Sequence, residues 1–199
     1  MKRLLIILVT AFLISETSYS VTYNSDPKIF VQELVDDAIK TLSDKSISVE
    51  EKNNMIKKIA LENVDILALG MYTLGDKRKM LSPEILEEYN NIFEKYFLKT
   101  LTSRLKDYTS GKFEVTKADQ KSSNYTIVHS KIAENASQPE IKINWRIYTK
   151  DINKPLIRDL IVEGLSLAKT QREEFASILS SNNNDIKILF QKLESFIQE

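Results

Sequence analysis

Residues 155–175 read P-L-I-R-D-L-I-V-E-G-L-S-L-A-K-T-Q-R-E-E-F, and this stretch decides the fold. Its first half alternates apolar and polar residues before it becomes continuously apolar, which is typical of a strand with one buried face. Gly164 supplies the backbone freedom that a sharp turn needs, and Ser166 is a good N-cap for a helix. Beyond Ser166 the apolar residues recur at helical spacing. We therefore expect a strand that passes directly into a helix, with a cleft between this helix and the sheet.

The strand predicted over 155–163 has two faces, because successive side chains alternate across a sheet. Strict alternation places Ile157, Asp159 and Ile161 on one face, and Leu156, Arg158, Leu160 and Val162 on the other. Three similar runs precede it, at 113–118, 125–132 and 141–148. Short polar segments without a helix join the four runs, so we expect antiparallel pairing.

Apolar residues at helical spacing flank the strands on both sides. We predict helices over 27–42, 49–63, 64–72, 83–111 and 165–181, and a last helix from Asp185. Ser25 or Asp26 is a suitable N-cap for the first helix and Ser82 for the long one, and each helix has a proline in its first turn. The order of helices, four strands and helices indicates an α+β fold, in which helices from both ends of the chain pack on an antiparallel sheet of about four strands.

Composition limits the possible functions. The 199 residues are 42% hydrophobic and carry no net charge, and the one basic run is Lys77-Arg78-Lys79. Nucleic-acid binding is therefore disfavoured. The chain has no cysteine, which excludes disulfides, thiol nucleophiles, zinc–thiolate sites and a lipidated N-terminal cysteine. No glycine-rich phosphate loop is present, so ATP binding would belong to another protein.

The N-terminus has the three parts of a secretory signal. Met1-Lys2-Arg3 is basic, Leu4 to Ile14 is apolar, and Ser18-Tyr19-Ser20 offers small residues before a cleavage site. The apolar run is short for a membrane span, which needs about 20 apolar residues. We predict a signal peptide over 1–20 with cleavage after Ser20, and a single mature domain over 21–199.

Four motifs, in order along the chain, carry a likeness to a known family. They are Leu69-Gly70-Met71-Tyr72, then Ser82-Pro83-Glu84, then Trp145-Arg146, and finally 161–167 with Gln171-Arg172 and Phe175. Together they resemble the MlaC/Ttg2D family of periplasmic phospholipid-binding proteins, which belong to the Mla lipid-trafficking ABC system and are linked to toluene tolerance. The segment between Tyr72 and Ser82 is longer than is usual in that family, which suggests an enlarged loop.

The resemblance implies a fold and a function. The expected fold is NTF2-like in outline, with an apolar cavity between the sheet and the helices. The expected function is that of a monomeric periplasmic carrier without cofactor or metal, which binds the acyl chains of a phospholipid. Its expected partners are an inner-membrane ABC transporter complex of the Mla type and an outer-membrane lipoprotein–porin complex, and its role is to maintain the lipid asymmetry of the outer membrane. The direction of transport does not follow from the sequence.

The resemblance also suggests which residues bind lipid. They are the apolar residues of the third helix, the long helix, the sheet and the strand-to-helix junction: Ile66, Leu67, Leu69, Met71, Tyr72, Phe93, Phe97, Leu101, Ile143, Trp145, Ile147, Leu160, Val162, Leu165, Leu167 and Phe175. Arg172 would contact the headgroup or pair with Glu163. An ordinary core uses the same residue types, so the residues alone leave both interpretations open.

Two other classes of function remain, an enzyme and a structural or interaction protein, and within the carrier class the lipid could be a different one. Ser166 lies at a strand-to-helix turn, as the nucleophile of an α/β-hydrolase does. Such a hydrolase needs a histidine after the serine, and the only histidine of this chain, His129, precedes Ser166. A cavity enzyme of the ketosteroid isomerase-like class would use Asp159 or Glu163 as its base. A structural protein would have a filled core, and a carrier of another envelope lipid such as a hopanoid would look much the same. We expect a binding protein, not an enzyme.

Overall fold

The structure, a computed structural model, describes residues 22–105, 112–134 and 139–199. The predicted signal peptide and the predicted helix end at Gly111 lie outside these residues. The described helices are α1 Pro27–Ser43, α2 Val49–Asn63, α3 Ile66–Thr73, a 3₁₀ helix Gly75–Met80, α4 Pro83–Leu105, α5 Leu167–Ser180 and α6 Ile186–Gln198. The described strands are β1 Phe113–Ser122, β2 Tyr125–Ile132, β3 Ile141–Tyr148, β4 Leu156–Val162 and β5 Leu165–Ser166. The predicted α+β fold is confirmed.

The helices begin where their capping residues predict. The Asp26 carboxylate accepts hydrogen bonds from the backbone N–H groups of Lys28 and Ile29, at 2.8 and 3.1 Å. Ser48 and Glu51 form a capping box at the start of α2. The hydroxyl of Ser166 accepts from the N–H of Lys169 at 3.0 Å, as its predicted N-cap role requires. Side chains close in sequence to each helix start therefore satisfy its first backbone N–H groups.

The sheet is a meander in which neighbouring strands pair in chain order from β1 to β5, all antiparallel. It has five strands where about four were predicted. The additional strand, β5, is only two residues long and pairs with the end of β4 across a tight turn. Glu163 and Gly164 make this turn with φ angles of 48° and 83°, the left-handed region that glycine adopts without strain.

A β-bulge in β4 changes the predicted faces of that strand. Arg146 pairs with Asp159 while the next residue of β3, Ile147, pairs with Ile157, so Arg158 is the extra residue. Ile157 therefore shares a face with Leu160 and Val162, and Asp159 lies on the opposite face. Strict alternation, which grouped Ile157 with Asp159, was wrong because one inserted residue reverses the pattern on either side of it.

The buried side chains form two clusters. In the first, α1 packs on the sheet through Phe30, Val31 and Leu34, against Val128 and Ile147 of β2 and β3. The second lies among α3, α4, α5 and α6 and is rich in aromatic residues. No helix among the described residues is long and apolar enough to cross a membrane.

The second cluster is centred on Tyr89 and Phe93 of α4. The two rings stack with centroids 5.7 Å apart, and Phe175 meets Phe93 edge to face at 6.3 Å. Gly70 of α3 lies directly against Phe93, since a Cβ atom at Gly70 would lie 2.8 Å from the Phe93 ring. The glycine of the Leu69-Gly70-Met71-Tyr72 motif thus allows α3 to pack closely on α4.

The tyrosine at the centre of this cluster predicts a loss of stability in alkali. Tyr89 is fully buried, and its hydroxyl donates to Thr73 Oγ1 at 2.7 Å, because the Thr73 proton is directed to the carbonyl of Gly70. Burial raises the pKa of Tyr89 above its usual value of about 10. Above pH 10 the unfolded chain loses this proton while the folded chain retains it, so the free energy of unfolding falls as pH rises.

We expect the contribution of Tyr89 to this fall to approach about 1.4 kcal/mol per pH unit. Urea unfolding of the wild type and of Tyr89→Phe, at a series of pH values from 9 upwards, measures it. The variant should lose stability less steeply above pH 10. Parallel curves for the two proteins would contradict the assignment.

Candidate functional site

An apolar cavity of about 270 Å³ lies between the first helices and the sheet. Every described residue that lines it has an apolar side chain. They come from α1, α2, the segment before α3, the end of α4 and four strands: Leu34, Val35, Ala38, Ile39, Leu42, Ile56, Ile59, Ala60, Val64, Leu101, Leu105, Phe113, Ile132, Ile143, Trp145, Ile157, Leu160 and Val162. No titratable group is among these residues, so the site suits a hydrocarbon chain and offers nothing to a charged group.

The sheet presents an apolar wall because its polar atoms are satisfied within it. Trp145 carries the one polar side-chain atom among the lining residues, and its indole N–H donates to Ser130 Oγ at 2.8 Å. The Ser130 hydroxyl in turn donates to the carbonyl of Ile143 at 3.0 Å. The indole ring is therefore free to act as apolar surface towards the cavity. Leu160 pairs with Trp145 on this face, Val162 lies beside them, and the bulge at Arg158 brings Ile157 to the same face.

The cavity is small for the ligand that the resemblance implies. Small-molecule pockets usually measure about 300–1,000 Å³, and a two-chain lipid would require a volume near the upper end of that range. At about 270 Å³ the cavity lies just below it. The cavity as described therefore has room for part of the acyl chains, and not for a whole two-chain phospholipid.

Five of the predicted lipid-binding residues meet in this cavity. They are Leu101 of α4, Ile143 and Trp145 of β3, and Leu160 and Val162 of β4. Ile147 lies next to them on β3 but is fully enclosed by the core between α1 and the sheet.

The other predicted residues lie elsewhere. Leu69, Phe93, Phe97 and Leu167 line a separate crevice of about 160 Å³ among α3, α4 and α5, which Leu101 also borders. Met71 and Tyr72 border a third pocket on the opposite face of the sheet, and Ile66 and Phe175 are buried in the helical core. Leu67 and Leu165 are exposed to solvent, at 61% and 69% of their surface.

Most of the cavity residues that the sequence did not identify belong to α1 and α2. Leu34, Val35, Ala38, Ile39 and Leu42 form the apolar stripe from which α1 was predicted, and that stripe was interpreted as core. Part of it is core, since Leu34 is 7% exposed, while the rest faces the cavity. A period of 3.6 residues shows which face of a helix is covered, but it does not distinguish packed neighbours from an empty space.

The candidate catalytic groups lie away from the cavity. Asp159 is on the opposite face of the sheet, where its carboxylate accepts from the Ser166 hydroxyl at 2.6 Å and from the Ala168 N–H at 3.0 Å. Glu163 is exposed at the β4–β5 turn and accepts from the backbone N–H of Lys142. His129, on that outer face, lies 2.8 Å from Asn144 and 3.0 Å from Asp119, as a structural residue does.

Arg172 is placed by α3 and the 3₁₀ helix, not by Glu163. Its guanidinium lies 5.2 Å from the centre of the Tyr72 ring, and its Nε atom is 3.0 Å from the point where Gly75 would carry a Cβ atom. Gly75 has a φ of 57°. Within the described ranges, no group of three or more histidine, aspartate or glutamate side chains is arranged to hold a metal ion.

Comparison with known proteins gives a family match and structural matches. The family model described as "MlaC protein" matches residues 32–195. Among solved structures, the fold is similar to that of a phospholipid-binding protein from Ralstonia solanacearum in complex with a phospholipid, with a TM-score of 0.71 at 17% sequence identity. That similarity covers 84% of this chain and 94% of the other. The search of curated proteins gives no match. Because the family model spans most of its length, this chain belongs to the MlaC family.

Proposed function

We propose that this protein is a periplasmic carrier that binds the acyl chains of a phospholipid in the cavity between α1, α2 and the sheet. The observation that carries the proposal is the wholly apolar lining of that cavity among the described residues. Membership of the MlaC family and the phospholipid complex of the Ralstonia solanacearum protein support it. A binding role also agrees with the positions of Asp159 and Glu163, which face away from the cavity.

The physical need for a carrier follows from the free energy of lipid transfer. A two-chain phospholipid buries on the order of 25 methylenes, and each contributes about 0.8 kcal/mol, so release into water costs roughly 20 kcal/mol. Such a molecule crosses an aqueous compartment only when its chains stay covered. The cavity supplies such cover for the part of the chains that fits its volume, and the headgroup remains outside because no polar group among the described lining residues could receive it.

The remaining assignments are part of the same proposal. Residues 1–20 act as a cleaved signal peptide, and 21–199 form the mature lipid-binding domain. The carrier works as a monomer and exchanges lipid with an inner-membrane ABC transporter complex of the Mla type and an outer-membrane lipoprotein–porin complex. This exchange maintains the lipid asymmetry of the outer membrane. Among the predicted lipid-binding residues, we place Leu101, Ile143, Trp145, Leu160 and Val162 in direct contact with the acyl chain.

Native mass spectrometry of the mature protein, purified from a Gram-negative periplasm, tests the proposal. We expect about one phospholipid per chain, identified after solvent extraction. A bound hopanoid would keep the carrier role and change its substrate. A protein that purifies empty, and takes up no lipid from vesicles, would refute the carrier function.

A further inference from the structure

A second pocket, of about 420 Å³, lies on the face of the sheet opposite the cavity. Three arginines from separate elements line it: Arg78 of the 3₁₀ helix, Arg146 of β3 and Arg158 of β4. Asp159 is the one acidic residue among the described lining residues. The sheet separates this pocket from the cavity, because Arg146 and Asp159 point away from Trp145 and Leu160.

The carboxylates near these arginines already have partners. Asp159, whose side chain is 2% exposed, accepts from Ser166, from Ala168 and from Arg146 Nη1, the last at 3.2 Å. Asp65 lies beside the pocket and accepts from Arg158 at 2.8 and 2.9 Å. A third carboxylate, Asp76, lies close enough to Arg78 for that charge to help lower the pKa of the carboxyl, but it already pairs with Lys79 at 2.8 Å. The three guanidinium groups of the pocket are thus balanced by two carboxylates, which leaves one positive charge in excess.

Two arginines have unused hydrogen-bonding capacity. The Nε–H of Arg146 is buried and has no acceptor among the described residues. An unpaired buried donor of this kind is unfavourable by about 1–3 kcal/mol. The Nε atom itself is enclosed, so a ligand in the pocket reaches Arg146 through the rest of its side chain, which is 39% exposed. Arg78 donates through Nη1 to the carbonyl of Met71 at 3.0 Å, which fixes the guanidinium at the pocket without neutralising it.

We propose that this pocket binds a phosphate group, supplied either as inorganic phosphate or by the headgroup of a phospholipid. The planar fork of a guanidinium matches the oxygens of a phosphate through paired hydrogen bonds, and such bonds are among the strong ones in proteins. Leu69, Met71 and Ala168 line the rest of the pocket and offer apolar contact to the glycerol end of a headgroup. Of the two sources of phosphate, only the phospholipid headgroup rests on the proposed function. The molecule bound in this pocket is in either case separate from the lipid in the cavity.

The test uses the full mature protein and two probes. Sodium phosphate is titrated against sodium chloride at equal ionic strength, and a soluble short-chain phosphatidylglycerol is titrated below its micelle concentration. We expect the Nε–H signal of Arg146 in the NMR spectrum, assigned by its absence in Arg146→Lys, to shift saturably with at least one probe. Calorimetry should show at least a tenfold weaker affinity in Arg146→Lys, which keeps the charge and loses the fork.

Matched variants separate a site from general electrostatic attraction. Lys187→Gln removes one exposed positive charge from α6 and should bind both probes as the wild type does. Arg78→Gln leaves Asp159 and its partners intact, so it remains informative if Arg146→Lys fails to fold, and it should weaken binding severalfold. A response to phosphatidylglycerol alone identifies the headgroup as the source, and a response to both probes identifies the phosphate itself.

Three results would overturn the inference. Sodium chloride could reproduce the shifts of the Arg146 signal, or Arg146→Lys or Arg78→Gln could bind the probes as tightly as the control Lys187→Gln does. The third is a glutamate-rich peptide that binds the pocket more tightly than either probe. The lipid content of each variant, measured by native mass spectrometry, keeps the two proposals apart. A cavity that is empty and takes up no lipid from vesicles, together with phosphate binding at Arg146, would refute the carrier function and leave the phosphate pocket standing.

Discussion

Val162→Trp is expected to purify as a folded protein that has lost at least nine tenths of its bound lipid. Val162 ends β4 with its side chain in the apolar cavity, so an indole there occupies space that an acyl chain would fill. Displacing about three methylenes costs about 2.4 kcal/mol, and each 1.4 kcal/mol is a tenfold change in affinity. The fold should persist, because the new ring enters an empty space instead of a packed core.

Ile161→Trp is the matched control. Ile161 is the preceding residue of the same strand and pairs with Asn144 on the outer face of the sheet, away from the cavity. Lipid per chain, measured by native mass spectrometry, should stay at the wild-type level in this variant, and thermal melting should show that both variants are folded. Equal lipid content in Val162→Trp and in the wild type would place the acyl chain outside this cavity.

The sequence was sufficient to predict the fold because its local signals agree with one another. Capping residues at Asp26, Ser48 and Ser166 start helices where apolar periodicity also predicts them. The strands β2 and β3 have the predicted bounds, since each run of apolar residues ends in a polar turn. Consistency between propensity and pattern of this kind is what makes a chain foldable, and it makes such elements predictable.

The candidate site was predicted less completely, for two physical reasons. The bulge at Arg158 depends on the register between β3 and β4, and the order of residues in one strand does not record this register. The cavity-facing residues of α1, such as Ala38 and Ile39, have the same spacing as core residues. A cavity exists only where two packed layers fail to meet, and this is a property of tertiary packing that no local pattern carries.

The arginine pocket was missed for a related reason. Arg78, Arg146 and Arg158 belong to three separate elements, and each fits an ordinary surface role: Arg78 is part of a basic run, and the other two are polar residues of alternating strands. Arg146 was noted only as part of a family motif and Arg158 only for its place on a strand. The meander of the sheet and the packing of α3 on β4 bring the three together. Proximity of this kind appears only once the strand order and the helix packing are known.

Asp159→Asn is expected to lower the free energy of unfolding by about 2–4 kcal/mol, the largest effect we anticipate from one polar substitution. The carboxylate receives three donors, from Ser166, Ala168 and Arg146, at a side chain that is 2% exposed. An asparagine offers one acceptor oxygen and turns its NH₂ group towards a second donor. The buried N–H of Ala168 or the Ser166 hydroxyl then loses its partner, and the start of α5 is held less firmly to β4.

Urea unfolding measures this loss, and Asp119→Asn is the matched control. Asp119 also belongs to a charged cluster on the sheet, with Lys117 at 3.0 Å, but its side chain is 33% exposed and solvent screens the pair, so Asp119→Asn should lower the free energy of unfolding far less than Asp159→Asn does. Equal losses in the two variants would mean that Asp159 does not join α5 to the sheet. Because Asp159 faces away from the cavity, the folded fraction of Asp159→Asn should carry as much lipid per chain as the wild type. If Asp159 instead lay in the acyl-chain site, neutralising its carboxylate would alter lipid binding. The lipid content of Asp159→Asn therefore separates a role in holding α5 to the sheet from a role in the cavity.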